Sequence, residues 1–300
     1  MEVRERRQLT LMLAPYVLGL VALVLVPAVV TIALSVTEYD LIQPARWVGL
    51  ANFRALASDE IFRIALLNSV VFALVAAPLR LLAALGLALL LHRRVRGTGS
   101  ARAAAVLPTV VPDVAYGLLW LWLFNPLYGP VNLVLRLGGQ GGLTVFGRTP
   151  PQWLTDPNDA RAAIVLMSLF TIGEGFVLLL VTRLGLPNEL YELAAMEDAT
   201  GWDVFRRITL PLMAPVAVLL LLRDTILSLQ LNFVPALIVT DGGPPPYATT
   251  YLPLFVYRNG FEYLRYGYAA AATLLMLVLT VGLLLAQWVV LRRWRRGWGG

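Results

Sequence analysis

The sequence predicts an all-α integral membrane protein with six transmembrane helices. Of its 300 residues, 59% are hydrophobic and only 14% are charged, whereas soluble domains carry about 25% charged residues. The mean hydropathy is +0.74, and several apolar stretches exceed the roughly 18 residues that mark a membrane span. Because backbone groups in lipid must be satisfied within their own segment, these stretches are expected to be helices. The composition excludes an ordinary soluble enzyme.

The six predicted spans cover residues 9–36, 64–91, 101–124, 161–184, 212–239 and 266–291. At 1.5 Å per residue, each is long enough to cross a hydrocarbon core of about 30 Å. The predicted organisation is an N-terminal helix with an external segment over 1–63, a transmembrane core over 64–291 and a tail over 292–300.

Arginine clusters flank the spans near residues 4–7, 93–102, 183–207 and 292–296. These segments fall on one side of the membrane, so the positive-inside rule places both termini in the cytoplasm.

Missing residue types exclude several kinds of chemistry. The chain has no cysteine, which excludes disulfides and thiolate metal sites. It has one histidine, His92, which excludes clusters of histidine ligands, and no metal site is expected. The sequence contains no lysine, so the Walker A lysine that reaches nucleotide phosphates is missing. The net charge of +6 is explained by the arginine clusters, and no nucleic-acid partner is expected.

The segment between spans four and five, residues 187–215, carries the densest charge and predicts two short helices joined by a turn. Asn188 is expected to cap the first helix, with Glu189 and Glu192 near its positive end. The sequence from Thr200 to Asp203 has the form of a capping box that opens the second helix.

Three alanines of this segment, Ala194, Ala195 and Ala199, are expected on its surface, where another protein could pack closely. The alternative is an amphipathic hairpin that lies on the lipid headgroups.

This segment resembles the EAA loop of the membrane subunits of binding-protein-dependent ABC importers. The family pattern is E-A-A, three residues, G, nine residues and I-x-L-P; here ELA at 192–194 and ITLP at 208–211 occupy its ends. Leu193 replaces the first alanine and Asp198 the usual glycine, but aspartate tolerates turn conformations better than most residues. The resemblance implies that ATPase coupling involves Glu192, Ala194, Ala195, Asp198, Gly201, Ile208, Leu210 and Pro211.

The resemblance extends over about residues 47–272. This part of the chain is similar to the first permease of carbohydrate importers, the maltose and glycerol-3-phosphate type. The matching segments are WVGLANF at 47–53, LWLWLFNPLYG at 119–129, DGGP at 241–244, YRNGF at 257–261 and YGYA at 266–269.

The resemblance implies the type I ABC importer fold, with a hairpin that enters a cleft of a separate ATPase. It implies no cofactor in this chain, since ATP and Mg²⁺ are bound by a dimer of partner ATPase subunits. The other implied partners are a second permease subunit, which the subgroup favours as a different chain, an extracytoplasmic solute-binding protein and a carbohydrate. The implied location is the cytoplasmic membrane of a bacterium or archaeon.

Polar residues at membrane depth are costly and are candidates for function. A sugar site needs amides, carboxylates or arginine for hydroxyls and aromatic rings for the apolar faces. The candidates for the substrate path are Glu174, Gln230, Asn232, Phe233, Tyr116, Trp120, Arg223 and Asp224. The alternative is that Arg80, Glu174, Arg223 and Asp224 form structural ion pairs between helices.

Two other classes remain open on the residues alone. A secondary transporter usually shows internal repeats with broken helices, and no motif is repeated in this sequence. An integral membrane enzyme that modifies lipids would use the intramembrane carboxylates, but no nucleophile and base share a motif. Only the ATP-driven importer requires the cytoplasmic hairpin.

Overall fold

The computed structural model describes residues 2–93, 95–136, 151–230 and 233–296, with side chains from residue 8 to residue 292 within those ranges. Helices dominate, and the one sheet of the described chain is a two-stranded antiparallel pair in which Thr37 faces Trp47. The elements in chain order are α1 (Glu2–Leu20), α2 (Val26–Ser35), β1 (Thr37–Glu38), β2 (Arg46–Trp47), α3 (Ala51–Ser58), α4 (Glu60–Leu91), α5 (Thr98–Val106), α6 (Asp113–Leu123), α7 (Pro130–Arg136), α8 (Pro157–Ser168), α9 (Gly173–Leu184), α10 (Asn188–Met196), α11 (Gly201–Val204), α12 (Leu210–Gln230), α13 (Val234–Thr240), α14 (Leu252–Tyr257) and α15 (Tyr266–Arg296).

Four helical stretches of the described chain are long and apolar enough to cross a membrane, and the number rises to six if each of two bent pairs forms one span. The four are Gln8–Ser35, Glu60–Leu91, Gly201–Gln230 and Tyr266–Arg292. This agrees with the predicted all-α membrane fold.

Spans three and four are each interrupted by a bend, at the places where Pro108 and Pro112 and where Gly173 and Gly175 indicate irregular backbone. The stretch Thr98–Val110 meets Asp113–Leu123 at 104°, and Pro157–Thr171 meets Gly173–Leu184 at 44°. Pro112 immediately precedes α6, and a proline cannot donate the hydrogen bond that would continue the helix. Span five also differs, since α12 ends at Gln230 and α13 begins at Val234.

The chain divides into two compact units, and the first contains residues up to Phe62 together with Phe255–Val278. In this unit the backbone N–H of Tyr266 donates to the carbonyl of Tyr39 at 2.9 Å. A Cβ on Gly267 would lie 1.9 Å from the carbonyl oxygen of Thr37, so only glycine permits this approach.

The second unit contains Arg63–Leu254 and the chain after Leu279. Its core joins α4, α9 and α12 through Ala84, Ala88, Leu91, Phe176, Leu179, Leu180, Met213 and Leu220. The loop that follows α13 is fastened to α4, because the amide of Asn68 donates to the carbonyls of Tyr247 and Thr250 at 2.9 and 3.0 Å.

Candidate functional site

The segment between α9 and α12 folds as the predicted pair of short helices. Helix α10 ends at Met196, and Asp198 then adopts φ +51°. The N–H of Ala199 donates to the carbonyl of Ala194 at 3.0 Å, and the N–H of Asp198 donates to that of Ala195 at 3.3 Å. This pair of bonds is the Schellman ending of a helix. Aspartate therefore takes the left-handed position that glycine usually occupies.

The caps of the two helices differ in how far they follow the prediction. Thr200 accepts the N–H of Asp203 at 3.2 Å and donates its hydroxyl to the Asp203 carboxylate, which is the expected start of α11. Asn188, in contrast, is the first residue of α10, and Pro187 holds the cap position without a side-chain hydrogen bond. The helix therefore starts one residue earlier than a cap at Asn188 would require, and the asparagine cap is not used.

Contacts with the neighbouring spans hold this hairpin, residues 188–209. The Arg183 guanidinium at the end of α9 lies 4.2 Å from the centroid of the Tyr191 ring. The Tyr191 hydroxyl lies 3.0 Å from Oγ1 of Thr209, which is buried just before α12. Tyr191 of α10 therefore contacts both the end of α9 and the residue that precedes α12.

The hairpin exposes large apolar side chains between charged ones. Leu193 is 58% exposed, Met196 82% and Trp202 66%, while Glu189, Glu192, Arg206 and Arg207 are also exposed. Exposed apolar residues with a polar rim are typical of a docking surface.

The other coupling residues differ in exposure. Ala195 is exposed as expected, but Ala194 is only 7% exposed, so it is not part of the exposed surface that the sequence predicts. Gly201 is exposed, and Ile208, Leu210 and Pro211 are partly buried where the hairpin enters α12.

A polar cavity of about 270 Å³ lies between α4, α6, α8, α9 and α12. Four of the residues expected in the substrate path line it, namely Tyr116, Glu174, Arg223 and Asp224. Arg80, Asp113, Ser168 and Ser228 line it as well. The cavity has the mixture of carboxylates, guanidinium groups and hydroxyls that can bind a polyhydroxylated solute.

The charged residues of this cavity form a connected network. Nε of Arg80 lies 3.5 Å from Oδ2 of Asp224, and Nη1 of Arg223 lies 3.7 Å from Oδ1 of the same carboxylate. Arg223 also pairs with Glu174. Arg80 further donates to the backbone carbonyl of Asp224 at 3.1 Å and to the Ser228 hydroxyl. The four residues are thus paired, as the structural alternative expected, and at the same time line the cavity.

The other predicted path residues lie elsewhere. Trp120 is buried in an aromatic cluster, with ring centroids 4.9 to 6.0 Å from those of Phe124, Phe170 and Tyr116. Gln230 ends α12, and Phe233 immediately precedes α13. Asn232 lies outside the described residues.

Some lining residues were not nominated from the sequence. Arg80 and Asp113 could have been nominated, because each is an ionisable group in an apolar segment. Ser168 and Ser228 carried none, because a serine bonded to a carbonyl three or four residues earlier is common inside helices.

Residues 88–296 match the protein family described as "Binding-protein-dependent transport system inner membrane component". The match covers well over half of the chain, which therefore belongs to this family. It is a permease subunit of an ABC importer, an inner membrane component, and it acts in transport and not as an enzyme. Permeases of this class work with ATPase and solute-binding proteins.

Curated relatives cover most of the chain. The sn-glycerol-3-phosphate transport system permease protein UgpA of Agrobacterium fabrum is 33% identical over 246 residues, which is 80% of this chain and 78% of that protein. The trehalose/maltose transport system permease protein MalF of Thermococcus litoralis is 30% identical over 280 residues, 93% of this chain and 91% of that one.

The fold is also that of solved importers. A chain of the bacterial alginate ABC transporter, in complex with an alginate pentasaccharide-bound periplasmic protein, superposes with a TM-score of 0.80. The two are 21% identical, and the match covers 95% of this chain and 94% of that one. The type I importer fold that the resemblance implied is confirmed.

Proposed function

We propose that this chain is one permease of an ATP-driven carbohydrate importer. The observation that carries the proposal is the hairpin 188–209, which presents exposed apolar residues and is tied to two spans. The relatives that transport trehalose, maltose and glycerol-3-phosphate support a solute of the sugar class.

The proposed substrate path includes the polar cavity. Tyr116, Glu174, Arg223 and Asp224 line the cavity, and Trp120, Gln230, Asn232 and Phe233 are included in the proposed path on the sequence pattern alone. Because the four charges of the network are already paired, solute hydroxyls exchange hydrogen bonds with them and no isolated charge has to be neutralised. Such exchange suits transport, which requires a solute to bind and then leave.

In the proposed mechanism, the hairpin converts closure of the ATPases into movement of the spans. Glu192, Ala195 and Asp198 form the part that contacts the ATPase, while Ala194 and Gly201 maintain the hairpin. Ile208, Leu210 and Pro211 connect it to α12. Tyr191 then transmits the displacement to α9 and α12, which carry the charged network.

The proposed assembly contains a second, different permease, a dimer of ATPase subunits and an extracytoplasmic solute-binding protein. Both termini and the hairpin face the cytoplasm of a bacterium or archaeon. The core over 64–291 forms half of the path, between the N-terminal segment 1–63 and the tail 292–300.

The coupling role is tested with Glu192→Lys and Ala195→Trp in the complete complex. Both changes alter exposed positions, so the chain is expected to fold while ATPase co-purification and uptake fall at least tenfold. Leu285→Trp, an exposed apolar position on α15, is the matched control and should retain both. Unchanged ATPase retention and uptake in the two hairpin variants would remove the coupling assignment.

The substrate path is tested with Glu174→Ala and Asn232→Ala. Uptake should drop while the complex still assembles and the isolated solute-binding protein keeps its affinity. Wild-type rates and apparent affinity in both variants would exclude these residues from the path.

A further inference from the structure

A second and larger cavity, about 1030 Å³, opens between the N-terminal half of α4 and the length of α8. This groove is separate from the polar cavity and shares none of its lining residues. Its apolar walls are formed by Ile64, Leu67, Val71, Phe72 and Val75 on α4, by Ala162, Val165 and Leu166 on α8, and by Leu169 directly after α8. Leu67, Val71 and Val75 are strongly exposed.

The two helices run in the same direction along the groove. Near the C-terminal end of α4, Ala84 and Ala88 pack with Phe176 and Leu179 of α9, which continues α8 after the bend. A Cβ on Gly175 would lie 3.8 Å from that of Ala84. The N-terminal ends of α4 and α8 therefore lie at the same end of the groove.

The groove is polar at that end and apolar below it. Asn158 and Arg161 line the first turns of α8, and the lining residues that follow, from Ala162 to Leu169, are all apolar. These eight residues of chain span about 12 Å at 1.5 Å per residue. One leaflet contributes half of the hydrocarbon core, or about 15 Å, so the apolar part covers most of the depth of one leaflet.

The polar end of the groove, which we call its mouth, carries positive charge. Among the described residues that line the groove, Arg161 is the one charged side chain, and no carboxylate lines it. Its Nε donates to the carbonyl of Ala248 at 3.2 Å, which holds the guanidinium at the mouth while the side chain stays exposed. A guanidinium fixed in this way fits a phosphate.

We propose that the groove binds an acyl chain of an anionic membrane phospholipid, with Arg161 pairing to its headgroup phosphate. The apolar walls match the hydrocarbon, and a guanidinium with no carboxylate among the other lining residues favours a lipid with net negative charge. A sugar would find too few hydrogen-bond partners along these walls. The lipid belongs to the leaflet at the N-terminal ends of α4 and α8, the outer leaflet in the predicted orientation. This site is independent of the proposed transport function.

The test uses the intact complex, exchanged in detergent with equal amounts of phosphatidylglycerol and phosphatidylcholine. Lipids that remain after purification are quantified by native mass spectrometry. The wild type should retain phosphatidylglycerol in at least threefold excess, and Arg161→Gln should reduce this to near equality. Val165→Trp, which fills the groove, should remove bound lipid, while Val278→Trp on exposed α15 should leave it unchanged.

Three results would overturn the proposal. One is equal retention of the two lipids by the wild type, and another is unchanged retention in Val165→Trp. The third is loss of a partner subunit in Val165→Trp with unchanged lipid content, which would show that a helix of another chain covers the groove. The same spectrum reports the subunits of the complex and the bound lipid, so a variant that fails to fold is recognised by its failure to assemble. If Val165→Trp fails in this way, Leu67→Trp on the opposite wall of the groove repeats the test.

Discussion

At the scale of single residues, Asp198 shows how a departure from a family pattern is accommodated. Its φ of +51° is a conformation that costs most L-residues about 1–2 kcal/mol, and aspartate is one of the few that adopt it routinely. The sequence indicated a tight turn at this position, and the two backbone hydrogen bonds that close it lie where a Schellman ending requires them.

We predict that Asp198→Gly retains uptake and ATPase binding, whereas Asp198→Val reduces both severalfold. Glycine has no Cβ and adopts the left-handed conformation freely, while a β-branched residue strains the turn. ATP-dependent uptake and ATPase co-purification measure the difference. Equal activity of the two variants would show that the turn geometry does not matter for coupling.

Arg80 provides a second test at this scale. We predict that Arg80→Met destabilises the chain by about 1–3 kcal/mol, because the mostly buried Asp224 carboxylate then keeps only its longer contact with Arg223. The double variant Arg80→Met, Asp224→Leu should recover most of this loss. Thermal unfolding of the purified complex measures both, and a double variant no more stable than the single one would contradict the pairing.

At the scale of elements, the breaks in spans three and four depend on close backbone contacts. A Cβ on Gly173 would lie 2.9 Å from both Cα of Val106 and Cγ2 of Thr109, whereas one on Gly175 would meet Ala84 at an ordinary 3.8 Å. The start of α9 is therefore fitted against the end of α5 and the turn that follows it.

We predict that Gly173→Ala lowers stability by about 1–3 kcal/mol, as overpacking of a filled site does, while Gly175→Ala is nearly neutral. Both substitutions are glycine to alanine in the same turn of helix, so differences in helix propensity largely cancel. The melting temperature of the complex distinguishes them. An equal effect of the two changes would contradict the described contact.

The elements also show what sequence reasoning could and could not provide. Hydropathy located the spans, and the Thr200 capping box followed from side-chain spacing. The 104° bend before Asp113 could not be predicted, because Pro108 and Pro112 indicate irregular backbone but give no angle. The burial of Ala194 was missed because helical spacing alone does not tell which face of a hairpin turns inward.

At the scale of the whole molecule, the few charged and polar residues fall into three groups with different roles. Arginine clusters indicate the orientation, the hairpin 188–209 exposes apolar side chains in the place of the proposed docking surface, and four paired residues line the polar cavity. The sequence pattern nominated Glu174, Arg223 and Asp224 from their depth in apolar segments and Tyr116 as an aromatic ring for a sugar face, and the fold brings all four to one cavity. It could not exclude Trp120 from the cavity lining, because a buried aromatic cluster and a sugar-binding ring have the same sequence signal.

ATP-dependent uptake in proteoliposomes tests the central claim most directly. The vesicles contain this chain, the partner permease and the ATPases, and the solute-binding protein with its labelled sugar is added outside. We predict accumulation that requires ATP inside, persists when ionophores collapse the proton and sodium gradients, and is abolished by Ala195→Trp. Accumulation driven by an ion gradient without ATP would contradict the account and identify a secondary transporter.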